Sequence, residues 1–108
     1  MRDPVVRDAL ACVHAQPEHP WTTKTLAAAT SVSRATLSRH FRPALGQTPG
    51  AYVEQWCMDL ASVRLRDTDE PVESISGAVG YGSPHAFSRA FRRARGMAPG
   101  TYRSQLRK

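Results

Sequence analysis

Two cysteines, Cys12 and Cys57, are all that this 108-residue chain carries. Neither stands at the spacing of a disulfide framework or a metal site, so a small fold stapled by disulfides is excluded. Both thiols lie in apolar helical surroundings and are read as reduced, packed side chains. The four histidines, at 14, 19, 40 and 85, meet no other residue at metal-ligand spacing, so neither a metal nor a cofactor is expected. No apolar run approaches the length of a membrane span, and the opening MRDPVVRDAL lacks the apolar core of a secretory signal. A cytoplasmic protein is expected. Catalysis has nothing to rest on either: the serines fall at helix starts or on outward faces, and no grouping of serine, histidine and carboxylate emerges. The chain is not expected to be an enzyme.

Acidic residues are missing where basic ones are densest. Residues 33–46 carry Arg34, Arg39 and Arg42, residues 83–96 carry Arg89, Arg92, Arg93 and Arg95, and neither stretch holds an Asp or Glu. The rest of the chain, with eight basic and nine acidic residues, is close to neutral, so the net charge of +6 belongs to these two stretches. Thirteen of the fifteen basic residues are arginine, the side chain that matches phosphate and the guanine edge with two parallel hydrogen bonds. A polyanion, nucleic acid above all, is the partner such a pattern fits.

The two stretches are copies. SRATLSRHFRPALGQTPGAY, starting at Ser33, returns as SPHAFSRAFRRARGMAPGTY, starting at Ser83, at a constant offset of 50, with ten of twenty positions identical. Chance would give about one or two. Between them, TPGAYVEQWCMDLASVRLR reads as one long helix of residues 49–66, entered through Thr48 and Pro49. Tyr52, Trp56 and Leu60 mark its apolar stripe, widened by Val53, Cys57, Ala61 and Val63.

From the start, Asp3 and Pro4 open a helix with Val5, Val6, Ala9, Leu10, Val13 and His14 on one face, ended by QPEHP. Trp21 staples the next short helix to the core; Thr22 or Thr23 caps it, and Leu26 and Ala27 face inward. Thr30 to Val32 turn the chain into Ser33, which caps a helix with Leu37, Phe41 and Ala44 inward and Ala35, Ser38, Arg39 and Arg42 outward. Pro43 should loosen or kink its last turn before Gly46 ends it. The second copy follows the same plan: Val72, Ile75 and Val79 inward, a turn through Gly80, Tyr81 and Gly82 that is one residue longer, then Ser83 and Pro84 opening a helix. There Phe87, Phe91 and Ala94 face inward under His85, Ser88, Arg89 and Arg92. Pro99 to Leu106 add a last helix packed through Tyr102. The expected fold is all-α, about seven helices, with helix-turn-helix units over about 21–46 and 71–96 joined by the long helix.

The string PVESISGAVGYGSPHAFSRAFRRARGMAPGTYR closely resembles the end of the DNA-binding domain of AraC/XylS-type transcription regulators, and WTTKTLAAATSVSRATLSRHFRPALGQTPGAYV resembles its first helix-turn-helix. The likeness spans residues 5–104. It implies a seven-helix domain that inserts two recognition helices into successive major-groove segments and usually activates transcription by recruiting RNA polymerase. Matched to the family's motif, Ala35, Ser38 and Arg39 in the first copy and His85, Ser88 and Arg89 in the second are expected to face bases. Arg34, Arg42, Arg92 and Arg93 are expected to hold phosphates, helped by Thr22, Thr23, Ser33 and Ser83 at the helix starts. Three positions depart from the family: Cys57 replaces a usual Arg, Arg64 a usual Leu, which predicts a more exposed end to the long helix, and Ser76 a usual Ala. Most relatives add an N-terminal sensing domain; this chain starts too close to its first helix for one to be expected in it, and either the C-terminal piece of a longer regulator or a stand-alone member fits. The alternative is a protein-interaction module that touches RNA polymerase through the acidic residues 67–73 or the long helix and binds DNA only non-specifically.

Neither thiol falls on an outward basic face, so DNA affinity is expected to be equal with and without reductant in a titration. A loss on mild oxidation that reductant reverses would make Cys57 a switch and overturn this.

Overall fold

In the computed structural model, which describes residues 2–107, these residues form seven helices and no strand. They are α1 (Pro4–Ala15), α2 (Thr23–Ala29), α3 (Arg34–Leu45), α4 (Pro49–Asp67), α5 (Val72–Ala78), α6 (Pro84–Arg95) and α7 (Pro99–Leu106). None of them is long and apolar enough to cross a membrane. The chain divides into two compact units at Glu54 and Gln55, so α4 gives its first turns to one unit and the rest to the other.

The first unit begins with a cap. Asp3 Oδ1 accepts hydrogen bonds from the backbone N–H groups of Val5, at 3.0 Å, and Val6, at 3.3 Å, and Pro4 occupies the first helical position. Val6, Ala9 and Val13 then fall on one side of α1 and pack with Leu26, Ala27, Leu37 and Phe41, all buried. Tyr52 on α4 meets Phe41 edge to face at 6.1 Å. His14, expected at the edge of the core, is exposed, with Nε2 2.8 Å from the Tyr52 hydroxyl. Trp21 acts differently from the expected staple: its indole N–H donates to the Gln16 carbonyl at 2.9 Å and its ring meets His19, which secures the α1 to α2 connection.

In the second unit Cys57, Met58, Ala61 and Leu65 of α4 are buried, as are Ile75, Val79, Phe87, Ala90 and Phe91. Phe87, Phe91 and Tyr102 form a chain of ring contacts at 5.8 and 5.2 Å, which seats α7. Arg103 Nε donates to the Leu65 carbonyl at 3.1 Å, and Arg107 to Asp69 and the Thr68 carbonyl, so α7 also satisfies acceptors left open at the end of α4.

Several expectations need correction. Val63 is 43% exposed, because a 3.6-residue period that buries Ala61 and Leu65 turns Val63 away from them. Ala44 and Ala94 are exposed and Ala90 is buried instead; in a last turn ended by Gly46 or Gly96 a single methyl is too short to be covered. Pro43 loosens the last turn of α3 no further than one bond: the helix continues to Leu45, and the Gly46 N–H reaches the Arg42 carbonyl at 2.8 Å. Only the bond that a residue-43 N–H would have made is lost. The far end of α4 is exposed at Val63, Arg66 and Asp67, as expected from Arg64, whose guanidinium donates to both Glu70 carboxylate oxygens at 3.3 and 3.1 Å.

The two helix-turn-helix turns are built by the same hydrogen bonds. After α2 the Ser31 N–H reaches Ala28 and the Val32 N–H reaches Ala27; after α5 the Gly80 N–H reaches Gly77 and the Tyr81 N–H reaches Ser76. Both place one residue in the left-handed region, Ser31 at φ 60 and Gly80 at φ 90. The extra residue of the second turn is therefore Gly82, inserted after the matched bonds and before the Ser83 cap.

Two predictions follow from these contacts. Ser31 bears a steric cost that Gly80 avoids, so Ser31→Gly should raise stability by about 0.5–1 kcal/mol and Gly80→Ser lower it by about 1 kcal/mol or more, read from urea titrations. The Asp3 carboxyl is held below its usual range, first by its hydrogen bond with His40 Nδ1 at 2.7 Å and further by the Val6 and Val5 N–H groups. A depressed carboxyl contributes stability above its unfolded pKa near 3.8 and loses it as pH falls through the folded value. Asp3→Asn keeps a capping side chain, so it should melt below the wild type at neutral pH, with the gap closing in acid; a constant gap would refute the ionic role.

Candidate nucleic-acid interface

Burial of Leu37 and Phe41 fixes the rotation of α3, and with it the opposite face. Ala35, Arg39 and Arg42 are exposed and Ser38 half-buried, at the spacing i, i+3, i+4 and i+7 that makes one column about 10 Å long. In the other unit, burial of Phe87, Ala90 and Phe91 does the same for α6: His85, Arg89 and Arg92 are exposed and Ser88 half-buried. Arg34 and Arg93 stand exposed beside these columns. The structure therefore brings each expected base-facing set onto one helix face, within its own unit.

The hydroxyls at the helix starts are engaged. Thr22 Oγ1 accepts from the Thr25 N–H at 3.1 Å, while the Thr22 N–H donates to Thr25 Oγ1 at 2.8 Å, a reciprocal cap. Ser33 Oγ accepts from the Thr36 N–H and donates to Thr36 Oγ1 at 2.9 Å. Ser83 Oγ accepts from the Ala86 N–H at 3.1 Å. Their first role is to shape the helix starts, whose remaining N–H groups are the donors an anion would meet. Thr23 is the first residue of α2, with Oγ1 near the backbone of Gly50.

Electrostatics separates two classes of arginine. Arg7 pairs with Asp8, Arg64 with Glu70, Arg66 with Asp67, Arg95 with Asp59 and Arg107 with Asp69. Among the described residues, Arg34, Arg39, Arg42, Arg89 and Arg92 have no carboxylate partner. Arg39 only approaches the Thr36 hydroxyl at 3.5 Å, the weak limit of a hydrogen bond. Arginines on the two columns thus keep their full charge and donor fork for an outside anion, while most of those elsewhere are neutralised locally.

The same pairing reaches the acidic turn. Asp67 and Asp69 have carboxyls held below the usual range, each first by a hydrogen bond from its arginine, Arg66 and Arg107, and the Glu70 carboxylate accepts hydrogen bonds from Arg64. Glu73, the remaining acidic residue of the region, is exposed. Among the described residues no three His, Cys, Asp or Glu side chains group as a metal site.

Three contacts escaped the sequence reading: His40 with Asp3, Arg95 with Asp59 and Ser62, and the buried Ser76, whose Oγ donates to the Ser83 carbonyl at 3.1 Å. Each holds a column-bearing helix to a neighbour. The only signal in the sequence was Ser76, a polar residue in an otherwise apolar inner position.

Comparison with known proteins places the chain among DNA-binding regulators. A helix-turn-helix domain family matches residues 26–105. A Streptomyces antibioticus protein described as an AraC-like transcription regulator is 45% identical over 103 residues, which cover 95% of this chain and 34% of that protein. The regulatory protein SoxS of Escherichia coli K12 is 34% identical over 102 residues, covering 94% of this chain and 95% of SoxS. The chain spans about a third of the Streptomyces relative and nearly all of SoxS. Among solved structures, the DNA-binding domain of the global transcriptional factor AdpA, in complex with a target DNA, superposes with a TM-score of 0.88 at 30% identity over 97% of this chain and 94% of that one.

Proposed function

The chain belongs to the AraC family of helix-turn-helix transcription regulators and corresponds to its DNA-binding domain, and from that premise we propose that it reads a specific duplex site with two recognition helices, α3 and α6, in successive major-groove segments. Ala35, Ser38 and Arg39 face the bases of one half-site, and His85, Ser88 and Arg89 those of the other. Arg39 and Arg89 each offer a donor fork to O6 and N7 of guanine. Arg34, Arg42, Arg92 and Arg93 hold phosphates, with the helix starts at Thr22, Thr23, Ser33 and Ser83 adding backbone N–H groups. The observation that carries this reading is the pair of arginine columns left without carboxylate partners. The AdpA domain's complex with target DNA supports it. The bound domain activates transcription by contacting RNA polymerase, as the family resemblance implies.

The two kinds of arginine give the test. Arg39→Ala and Arg89→Ala should each cost about 1–3 kcal/mol on the selected site and relax preference at one or two base pairs. Arg42→Ala and Arg92→Ala should weaken all sequences alike and lower the salt slope by about one. An unchanged ratio of selected to random DNA in Arg39→Ala and Arg89→Ala would sink base reading and leave a module that binds DNA without specificity. Activation is checked by transcription with purified bacterial RNA polymerase from a promoter carrying the site, where no rise in transcript would overturn that part.

A further inference from the structure

Arg95 belongs by sequence to the basic stretch of α6. It follows Ser88 by seven residues, which on a helix sets it about 20° from the base-facing column. Its side chain is nevertheless committed elsewhere. Nη2 donates to Asp59 Oδ1 at 2.6 Å and Nε donates to Ser62 Oγ at 3.1 Å, both on α4 within the second unit. Ser62 Oγ donates its own hydrogen bond to the Met58 carbonyl at 2.8 Å, which turns a lone pair toward Arg95. The guanidinium side chain is 27% exposed. Arg34, Arg39, Arg42, Arg89 and Arg92 make no such ion pair among the described residues.

We propose that Arg95 is a positioning residue for base reading rather than a phosphate contact: it clamps the far end of α6 onto α4 and so sets the angle at which Arg89 and Arg92 meet the duplex. This rests on the reading of α6 as a recognition helix. The near end of α6 is held by the bond from buried Ser76 to the Ser83 carbonyl. Burial of Phe87, Ala90 and Phe91 sets the rotation of α6, and apolar packing, which is not directional, leaves a small tilt about the Ser83 end. A tilt of about 5° would carry Arg92 through about 1 Å at 1.5 Å rise per residue, enough to spoil bidentate hydrogen bonds to a base edge or phosphate. The second clamp removes that freedom. The offset of 50 places Leu45 at the matching position of the first copy, so the device belongs to the second unit alone.

The test uses the sign of an acidic substitution. In the full chain, Arg95→Ala and Asp59→Ala should each lower the preference for the second half-site over a scrambled one by about fivefold, with the first half-site's preference and the salt slope unchanged. Arg95→Lys, which keeps the Asp59 contact, should recover most of the loss. A phosphate role for Arg95 predicts the opposite for Asp59→Ala, since freeing the guanidinium would leave binding unchanged or tighter for every sequence. It also predicts that Arg95→Ala lowers the salt slope by about one. Either result overturns the proposal. Thermal melting accompanies each variant. If Arg95→Ala fails to melt cooperatively, the charge swap of Arg95→Asp with Asp59→Arg decides: recovered preference supports the clamp, and preference as poor as in Asp59→Ala overturns it. Arg89→Ala separates this from the underlying reading. If it leaves second half-site preference unchanged, α6 does not read bases; if it relaxes that preference while Arg95→Ala and Asp59→Ala do not, the positioning role alone fails.

Discussion

Burial of the aromatic rings on α3 and α6 is the constraint from which the interface follows. Phe41, Phe87 and Phe91 are fully covered, and replacing such a ring by alanine typically costs about 3–5 kcal/mol. That is several times what any exposed arginine contact contributes to the fold. The apolar side therefore decides the rotation of each helix, and the charged side has no choice but to face out. With 100° per residue, placing Phe41 inward puts Arg39 and Arg42 outward, and placing Phe87 and Phe91 inward does the same for Arg89 and Arg92. The outward arginine face is thus a consequence of core packing within each unit.

Start and stop signals then limit the length of each column. Ser33 and Ser83 cap the helix starts through the Thr36 and Ala86 N–H groups, and Gly46 and Gly96 end the helices at φ 73 and 82. The two α helices are each 12 residues long, although their turns differ by Gly82. An insertion at that point is tolerated because the preceding hydrogen bonds, from Gly80 and Tyr81 back to Gly77 and Ser76, are already closed. The extra residue shifts where α6 begins without altering how α5 ends.

Most of this was legible in the sequence because it is local. Caps, terminating glycines and inner stripes are patterns of three to seven residues, and the internal duplication doubled the signal for the turn, the arginine column and the closing Pro-Gly. What escaped was set by contacts between residues far apart in the chain. His40 meets Asp3 across 37 residues and Arg95 meets Asp59 across 36, and nothing in either neighbourhood announces the pairing. The same blindness made residues 67–70 look like a negative patch. Arg66 was adjacent and visible, but Arg64 and Arg107 reach Glu70 and Asp69 from six and 38 residues away. Formal charge counted along a chain says where charge is carried; only pairing in space says where it remains available.

The copies also separate what duplication preserved from what it left free. Ser33 and Ser83, Phe41 and Phe91, Arg39 and Arg89, Arg42 and Arg92 are the same residues at the same offset, and they are the cap, the core ring and the outward column. The attachments of the two helices are not the same. α3 is tied to the start of α1 by His40 and Asp3, at 2.7 Å, and the copy of His40 is Ala90, buried in the second core. α6 is tied to α4 by Arg95, and the copy of Arg95 is Leu45. Each unit has solved the seating of its helix with the neighbour at hand. The chemistry differs accordingly: a guanidinium keeps its charge and its fixed fork, whereas an imidazole changes its donors and charge with protonation.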